Sequence, residues 1–329
     1  MDALTLLTFH PSCDESRRNS VKELAQKWCS DEVVLALQSS GSTGPVKTSM
    51  QDRSQIIKSI EATARTFGLM PGMRTALAMD VHGTGGRLML WRALHLGMHC
   101  EILPVQRKVE WAGQLDFLAL IPQQAMALDA GAWSRLRCLL LGGAPLAAEQ
   151  ERELLKRSSG HAIRLSHGFG MTETLSHVAI RELGRGPSYH CLPGVTVSED
   201  QGALCIHAPE RGLHHMRTTD AAKVLNDTEF EWLGRLDGVI ISGGKKIFPE
   251  AVDRVIADAM PGHPIGFAGS IPDEHWGEAL VWYSEELTAV ERQDMLQVFE
   301  TMESWLRPKR IVEGPLPLTA SGKWRRKGS

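Results

Sequence analysis

Three times in this chain a short apolar run stops at a glycine-rich loop, and the repetition restricts what the chain can fold into. VVLAL (33 to 37) runs into SSGSTGPVK, TALAM (75 to 79) into His82-Gly-Thr-Gly-Gly86, and CLLL (138 to 141) into Gly142-Gly143-Ala144-Pro145. Short apolar runs bounded by glycine read as buried strands, and strands alternating with helices build an α/β sheet whose strand ends carry the functional loops. The first unit is expected to be strand, loop, helix. Ser49-Met50-Gln51-Asp52 has capping-box spacing, and apolar Ile56, Ile57, Ile60, Ala64 and Phe67 follow it. Further helices are expected near 147 to 157 and 249 to 259.

Residues 195 to 234 change character: VTVS, ALCIHA and FEWLG are short β-like pieces separated by polar turns. They are expected to form a smaller β element closing a large domain. At 329 residues the chain exceeds one typical domain. The expected division is a core over 1–236 and an α+β lobe over 237–329. The basic end, WRRKGS, reads as a solvated tail that a ligand would order.

With 43% hydrophobic and 23% charged residues and a formal net charge of -3, the composition is that of an ordinary soluble enzyme and offers no basic surface for nucleic acid. Cys13, Cys29, Cys100, Cys138, Cys191 and Cys205 lack C-x-x-C spacing, so reduced thiols in a cytoplasm are expected. The N-terminus does not read as a signal peptide, and no apolar run approaches the ~20 residues that cross a bilayer. A cytoplasmic protein without membrane partners is expected; a homodimer is left open.

The stretch Gly41 to Thr48 almost fits a Walker A loop, but Val46 stands where glycine must precede the lysine. Ala76-Leu-Ala-Met-Asp80 offers a Walker B candidate, so a P-loop NTPase is the alternative. The favoured reading uses hydroxyls: Ser39, Ser40, Ser42 and Thr43 donate to phosphate oxygens from a glycine-flexible loop, and Lys47 adds positive charge.

Other motifs decide between the two. SGSTGPVK (40 to 47), FGMTE (169 to 173), TTD (218 to 220), GRLDGVIISGGKKIFPE (234 to 250) and PLTASGK (317 to 323) occur in this order. The chain thereby resembles the acyl-adenylating superfamily of acyl-CoA synthetases, peptide-synthetase adenylation domains and luciferases over about residues 30 to 323. The resemblance implies an ATP- and Mg2+-dependent ligase that adenylates a carboxylic acid and passes the acyl group to a thiol, usually coenzyme A.

It also implies roles. Ser40, Gly41, Ser42, Thr43, Gly44 and Lys47 hold the β- and γ-phosphates; Thr172 reaches phosphate, and Glu173 helps hold Mg2+. Gly142, Gly143 and Ala144 line the adenine and acyl site, while Phe169, in the aromatic motif with Gly170 and Met171, lies against adenine in place of the usual tyrosine. Asp220 and Arg235 bind the ribose hydroxyls. Lys323 bridges the incoming carboxylate and the α-phosphate, Asp237 is the hinge, and Gly243-Gly244 swing toward a pantetheine tunnel.

There are departures. Proline is displaced by one in Gly44-Pro45-Val46-Lys47, Thr219 takes a glycine position, and Ala251 replaces a glutamate commonly found after Pro249. With 38 residues ahead of Ser39, the chain reads as a short form.

TETLSHVA (172 to 179) and YHCLPGVTVS (189 to 198) resemble the o-succinylbenzoate-CoA ligases of menaquinone biosynthesis, whose substrate carries a second carboxylate. That charge needs a cation. Arg87 is the candidate, with His82, Ser176 and His177 as polar lining. Other aromatic or aliphatic acids, delivery to a carrier protein, and an inactive nucleotide-binding regulator are the alternatives. A zinc set drawn from Cys191, Cys205, His207, His214 and His215 matches no common spacing. HGTGG resembles a hydrolase oxyanion loop, without a G-x-S-x-G elbow to accompany it.

Overall fold

The computed structural model describes residues 3–39, 47–262, 266–317 and 324–327. A 3-10 turn (Ala3–Leu6) opens into β1 (Leu7–Phe9) and α1 (Glu15–Cys29), capped by Asp14, whose carboxylate accepts from the Arg17 N–H. Next come β2 (Val34–Ser39), β3 (Lys47–Asp52), α2 (Arg53–Phe67), β4 (Arg74–Leu77), α3 (Thr84–His95), β5 (His99–Ile102) and β6 (Phe117–Leu120). Two short helices, α4 (Pro122–Ala125) and α5 (Ala130–Ser134), precede β7 (Cys138–Leu141), α6 (Ala148–Ser158) and β8 (Arg164–Met171).

Strands then dominate: β9 (Ser176–Glu182), β10 (Ser188–Cys191), β11 (Thr196–Asp200), β12 (Ala203–Ala208), β13 (Leu213–Asn226) and β14 (Glu229–Arg235). The last part holds β15 (Ile240–Ser242), β16 (Lys245–Ile247), α7 (Pro249–Ala259), β17 (Gly266–Asp273), β18 (Gly277–Ser284), α8 (Ala289–Thr301) and β19 (Ile311–Glu313). No helix among the described residues is long and apolar enough to cross a membrane.

One 12-stranded sheet, ordered β1-β5-β4-β6-β7-β8-β9-β10-β14-β13-β12-β11, organises the first part. It is parallel from β1 to β8 and antiparallel beyond β8. The parallel strands are apolar on both faces because both are covered. Phe117 and Ala119 pack with helices α1 to α3, whereas Leu118 and Leu120 pack with Trp111, Trp133 and Leu154 on the other side. The expected small β element is therefore a continuation of the main sheet. Its strands find hydrogen-bonding partners on the open edge of β8, which a separate sheet would have left unpaired.

The first glycine unit also differs from expectation. β2 and β3 form an antiparallel hairpin of their own, with Val34 opposite Asp52 and Ser39 opposite Lys47. Leu35 and Leu37 are buried while Val33 and Val34 are exposed, so VVLAL covers the molecule on one side only. Ser49 lies within β3; Asp52 occupies the N-cap of α2 without a side-chain cap hydrogen bond. Pairing across the hairpin extends the strand up to Asp52 and overrides the capping spacing.

From β15 onward the strands form a five-stranded sheet, β16-β15-β18-β17 with β19 beside β18, around Ile240, Val252, Ile256, Leu280, Trp282 and Phe299. Polar contacts join it to the first part: Arg152 to Asp258 at 3.5 Å, and the Gly262 N–H to Glu149 at 3.3 Å. The basic end is not a free tail. Trp324 stacks on Phe267 at 4.7 Å, Arg326 pairs with Asp253 at 2.6 Å, and Ser270 donates its N–H to the Arg326 carbonyl at 2.7 Å. None of the six cysteines, all of them among the described residues, forms a disulfide.

Candidate active site

In a parallel sheet every strand points its C-terminal end the same way, so the loops after β4, β6, β7 and β8 share one edge of the sheet. That edge collects Asp80 and His82, Ile121, Gly142 to Ala144, and Gly170 to Glu173. The change from parallel to antiparallel pairing falls at β8, which ends in the FGMTE motif.

Buried side chains hold these loops. Arg17, 9% exposed, donates to the carbonyls of Leu77 at 3.1 Å, Met79 at 2.9 Å and Leu103 at 3.2 Å, pinning the ends of β4 and β5 from inside. Gln124 donates to the carbonyls of Ala78 and Gln106 at 3.1 and 3.0 Å. His167 lies 2.7 Å from the Tyr189 hydroxyl through Nδ1 and 3.2 Å from the Ala144 carbonyl through Nε2. A carbonyl only accepts, so Nε2 carries the proton and Nδ1 accepts from Tyr189. Burial pulls His167 down to about 4, keeping this tautomer neutral. Nothing in the sequence marks Arg17 or His167, because both act through backbone carbonyls of distant loops.

Glycine serves two purposes on the edge. At Gly142 an added Cβ would meet nothing within 4 Å, so the protein's own packing does not require glycine there. The residue leaves room. At Gly170 a Cβ would lie 2.3 Å from the Ser176 carbonyl oxygen, where β8 and β9 slip register. Close strand approach excludes any larger residue. Phe169 is half-buried and packs its ring edge-on to Tyr189 and Phe230 at 5.8 and 5.2 Å, which fixes its plane. Thr172 and Thr84 bring their hydroxyls to 3.0 Å, and Thr84 lies 2.8 Å from the Gln38 carbonyl on β2. Glu173, which follows Thr172 in the chain, and His82 are exposed.

Asp220 on β13 stands opposite Arg235 on β14. Asp220 is buried, which raises its carboxyl, and it accepts from Trp232 Nε1 at 2.9 Å. Arg235 instead grips Asp237 with two hydrogen bonds of 2.9 and 2.7 Å. That bond and charge hold the Asp237 carboxyl below its usual range. The two predicted ribose ligands are thus neighbours, but the arginine is occupied by the predicted hinge residue. Gly243 and Gly244 lie at the turn between β15 and β16, and a Cβ on Gly243 would sit 2.6 Å from the Trp276 ring.

Two readings need correction. Lys47 begins a strand, whereas a Walker lysine must open a helix, so the P-loop alternative is excluded. Arg87 is buried at 7% exposure and donates Nε to the Val81 carbonyl at 3.2 Å and Nη1 to the Ala36 carbonyl, fastening the hairpin to α3. These bonds give it a structural task in place of the free cation expected of it. His177 is buried too, between the hydroxyls of Ser176 at 3.0 Å and Thr63 at 3.3 Å. Ser40 to Gly44, the Lys47 side chain and Lys323 lie outside the described residues.

The structure supplies other cations. Arg92 on α3 is 3% exposed and Arg211 is 4% exposed. Among the described residues Arg92 lies over Phe117 and reaches only the Met89 sulfur, at 3.4 Å; Arg211 donates Nη1 to the His177 carbonyl at 3.2 Å. Arg92 Nε and Arg211 Nη2 are buried without hydrogen-bond partners, and neither residue has an ion-pair partner among the described residues. Burial, followed by a neighbouring arginine's charge, pulls each down to about 10, and the same pair drives His177 well below its ordinary value after burial.

The fold and this edge define the class of adenylate-forming acyl-CoA ligases. The match to the AMP-binding enzyme family spans residues 3–203, more than half of the chain, and the chain belongs to that family. It is 24% identical to a 2-succinylbenzoate–CoA ligase of Listeria monocytogenes over 92% of this chain and 71% of that ligase. For the Escherichia coli ligase of the same name the values are 24%, 90% and 69%. An acyl-CoA synthetase (AMP-forming)/AMP-acid ligase II-like protein from Dyadobacter fermentans superposes with a TM-score of 0.63 and 26% identity, covering 96% of this chain and 94% of that one. The Bacillus subtilis o-succinylbenzoate CoA synthetase with its acyl-adenylate superposes at 0.70 and 19% identity, over 88% and 67%, a likeness of fold alone.

Proposed function

We propose that this enzyme activates a dicarboxylic aromatic acid, o-succinylbenzoate, as its adenylate and transfers the acyl group to coenzyme A, as a step in menaquinone synthesis. The observation that carries the choice of acid is the pair Arg92 and Arg211, buried cations with unused N–H donors. An uncompensated buried charge is costly. The non-reacting carboxylate of such an acid supplies the acceptors that both guanidinium groups lack. Relatives named 2-succinylbenzoate–CoA ligase point to the same acid.

A free carboxylate is a poor acyl donor because oxide would have to leave; linkage to AMP provides a competent leaving group. In this reading the hydroxyls of Ser40, Ser42 and Thr43 and the Lys47 ammonium hold the terminal phosphates while pyrophosphate departs. Phe169, with its plane set by Tyr189 and Phe230, lies against adenine, and the open space at Gly142 admits the nucleotide. Asp220 keeps one carboxylate oxygen clear of Trp232 for the ribose diol. Lys323 brings a positive charge between acid and α-phosphate, a contribution worth roughly 10²-fold or more in rate.

Where the resemblance puts the metal, Thr172 and Thr84 bring their hydroxyls together and the exposed Glu173 is next in the chain, oxygen donors of the kind that suits a hard cation. Mg2+ held there would neutralise phosphate charge. Between the half-reactions the part after Asp237 rotates, opening the Arg235–Asp237 fork and the exposed polar contacts between α6 and α7 and taking Gly243 and Gly244 to the thiol's path.

The test is a panel of acids in carboxylate-dependent exchange of labelled pyrophosphate into ATP, followed by thioester formation with coenzyme A and no carrier protein. The expected result is selective turnover of o-succinylbenzoate. Exchange with monocarboxylates alone would overturn the assignment of the acid, and no exchange with any acid would overturn adenylation itself.

A further inference from the structure

At the far edge of the large sheet, β11, β12 and β13 bring together groups that adenylation does not use. Asp200, Cys205 and His215 place one ligand atom each within 4.8 Å of one another. Strand register explains the meeting. Ser198 pairs with Cys205 and Cys205 with Arg217, so alternate residues of three strands, Ser198 and Asp200, Cys205 and His207, His215 and Arg217, share one face. Sequence spacing could not reveal this, because the set includes an aspartate and depends on pairing across two turns.

The surroundings orient the donors. His207 Nδ1 lies 2.6 Å from the His214 carbonyl, so this nitrogen is the donor and Nε2 is left to accept. That Nε2 is shared by the Ser198 hydroxyl at 3.2 Å and His215 Nδ1 at 3.3 Å; with its proton on Nδ1, His215 keeps a lone pair on its other ring nitrogen. Asp200 keeps one oxygen on Arg217 at 3.2 Å and has the second to offer. Cys205 is fully buried, and its thiol has no hydrogen-bond partner among the described residues. A ring nitrogen backed by a chain ending on a carbonyl, and a carboxylate backed by a guanidinium, are the outer contacts that metal ligands carry.

We propose that Asp200, Cys205 and His215 bind a borderline divalent transition metal of the Zn2+ type, with His207 and Arg217 orienting two of the three ligands. One sulfur, one nitrogen and one oxygen suit that class far better than Mg2+ or Ca2+. Ligands of such an ion lie ~3.5 Å apart, so side-chain shifts of about 1 Å complete the site. Binding displaces the Cys205 thiol proton to solvent, forms the sulfur–metal bond and leaves one position for water. The ion would cross-link three strands at the start of β13, the strand that carries Asp220.

The test is titration of the full, chelator-treated chain with Co2+ as probe, without nucleotide. Stoichiometric binding with a thiolate-to-metal charge-transfer band in the near ultraviolet is expected. Cys205→Ser should abolish the band, and Asp200→Asn and His215→Ala should each weaken binding at least tenfold, while Cys29→Ser, which removes the exposed thiol, leaves both unchanged. Should Cys205→Ser fail to fold, the other two variants decide. No charge-transfer band in the unaltered chain, a band lost with Cys29 instead, or affinity indifferent to both Asp200→Asn and His215→Ala would overturn the site.

Discussion

On the proposed function, the nucleotide end is served by backbone turns and hydroxyls along the sheet edge together with the buried Asp220, whereas the acid end would rest on two guanidinium groups sealed inside the protein. The difference follows from what each ligand brings. Phosphates and ribose arrive with their own charge and many acceptors, so glycine turns and short polar side chains suffice and stay near water. A second carboxylate on an aromatic acid must leave water to be recognised, and a cation waiting for it must already be buried. Generic binding can thus be local in the chain, while selectivity is assembled from distant elements.

The sharpest way to separate the two ends is Lys323→Ala, expected to lower adenylate formation by ~10² to 10³-fold while sparing thioester formation from supplied acyl-adenylate. Assaying the half-reactions separately checks this, and equal loss in both would break the assignment. Next comes the support beneath Ala144. His167 titrates near 4 when folded and near its ordinary value when unfolded. Its contribution to stability is complete above about pH 6.5 and falls on the order of 3 kcal/mol as pH drops toward 4, because only the unfolded state gains the proton. Urea denaturation across that window should show the slope, and His167→Gln should flatten it.

At the acid end, Arg92→Met should raise the KM for the dicarboxylic acid by roughly tenfold to a hundredfold, the worth of a charged hydrogen bond, and leave the KM for ATP alone. Folding stability should hold or rise, since an apolar side chain replaces an unpaired buried charge. A parallel rise in both KM values would erase the contrast between the ends. The smallest effect is expected from Arg87→Ala, about 1 to 2 kcal/mol in stability from two lost bonds to carbonyls, read by thermal denaturation. Acid selectivity unchanged in that variant would confirm its reassignment from ligand to fastener.

Much of the fold was legible in the sequence because strands such as CLLL and ALCIHA are bounded by glycine or polar turns, and α7 by Pro249. The hairpin was not, since VVLAL carries the same apolar signal whether its partner is a parallel neighbour or its own continuation. WRRKGS misled for a related reason: charge implies solvent until acidic partners such as Asp253 and Glu250 are brought to it. Arg87 and Arg92 lie five positions apart on one helix, and nothing in the letters tells which of them meets carbonyls and which meets none.

The order of the motifs by itself determined the family, because backbone loops need glycine and hydroxyl residues at neighbouring positions and such constraints are written locally. Tertiary structure alone decided the burial of Arg87, Arg92 and Arg211, the service of His167 to Ala144 and the meeting of Asp200, Cys205 and His215. Each depends on burial or on pairing between strands, and both are properties of the packed chain, absent from any single stretch of it.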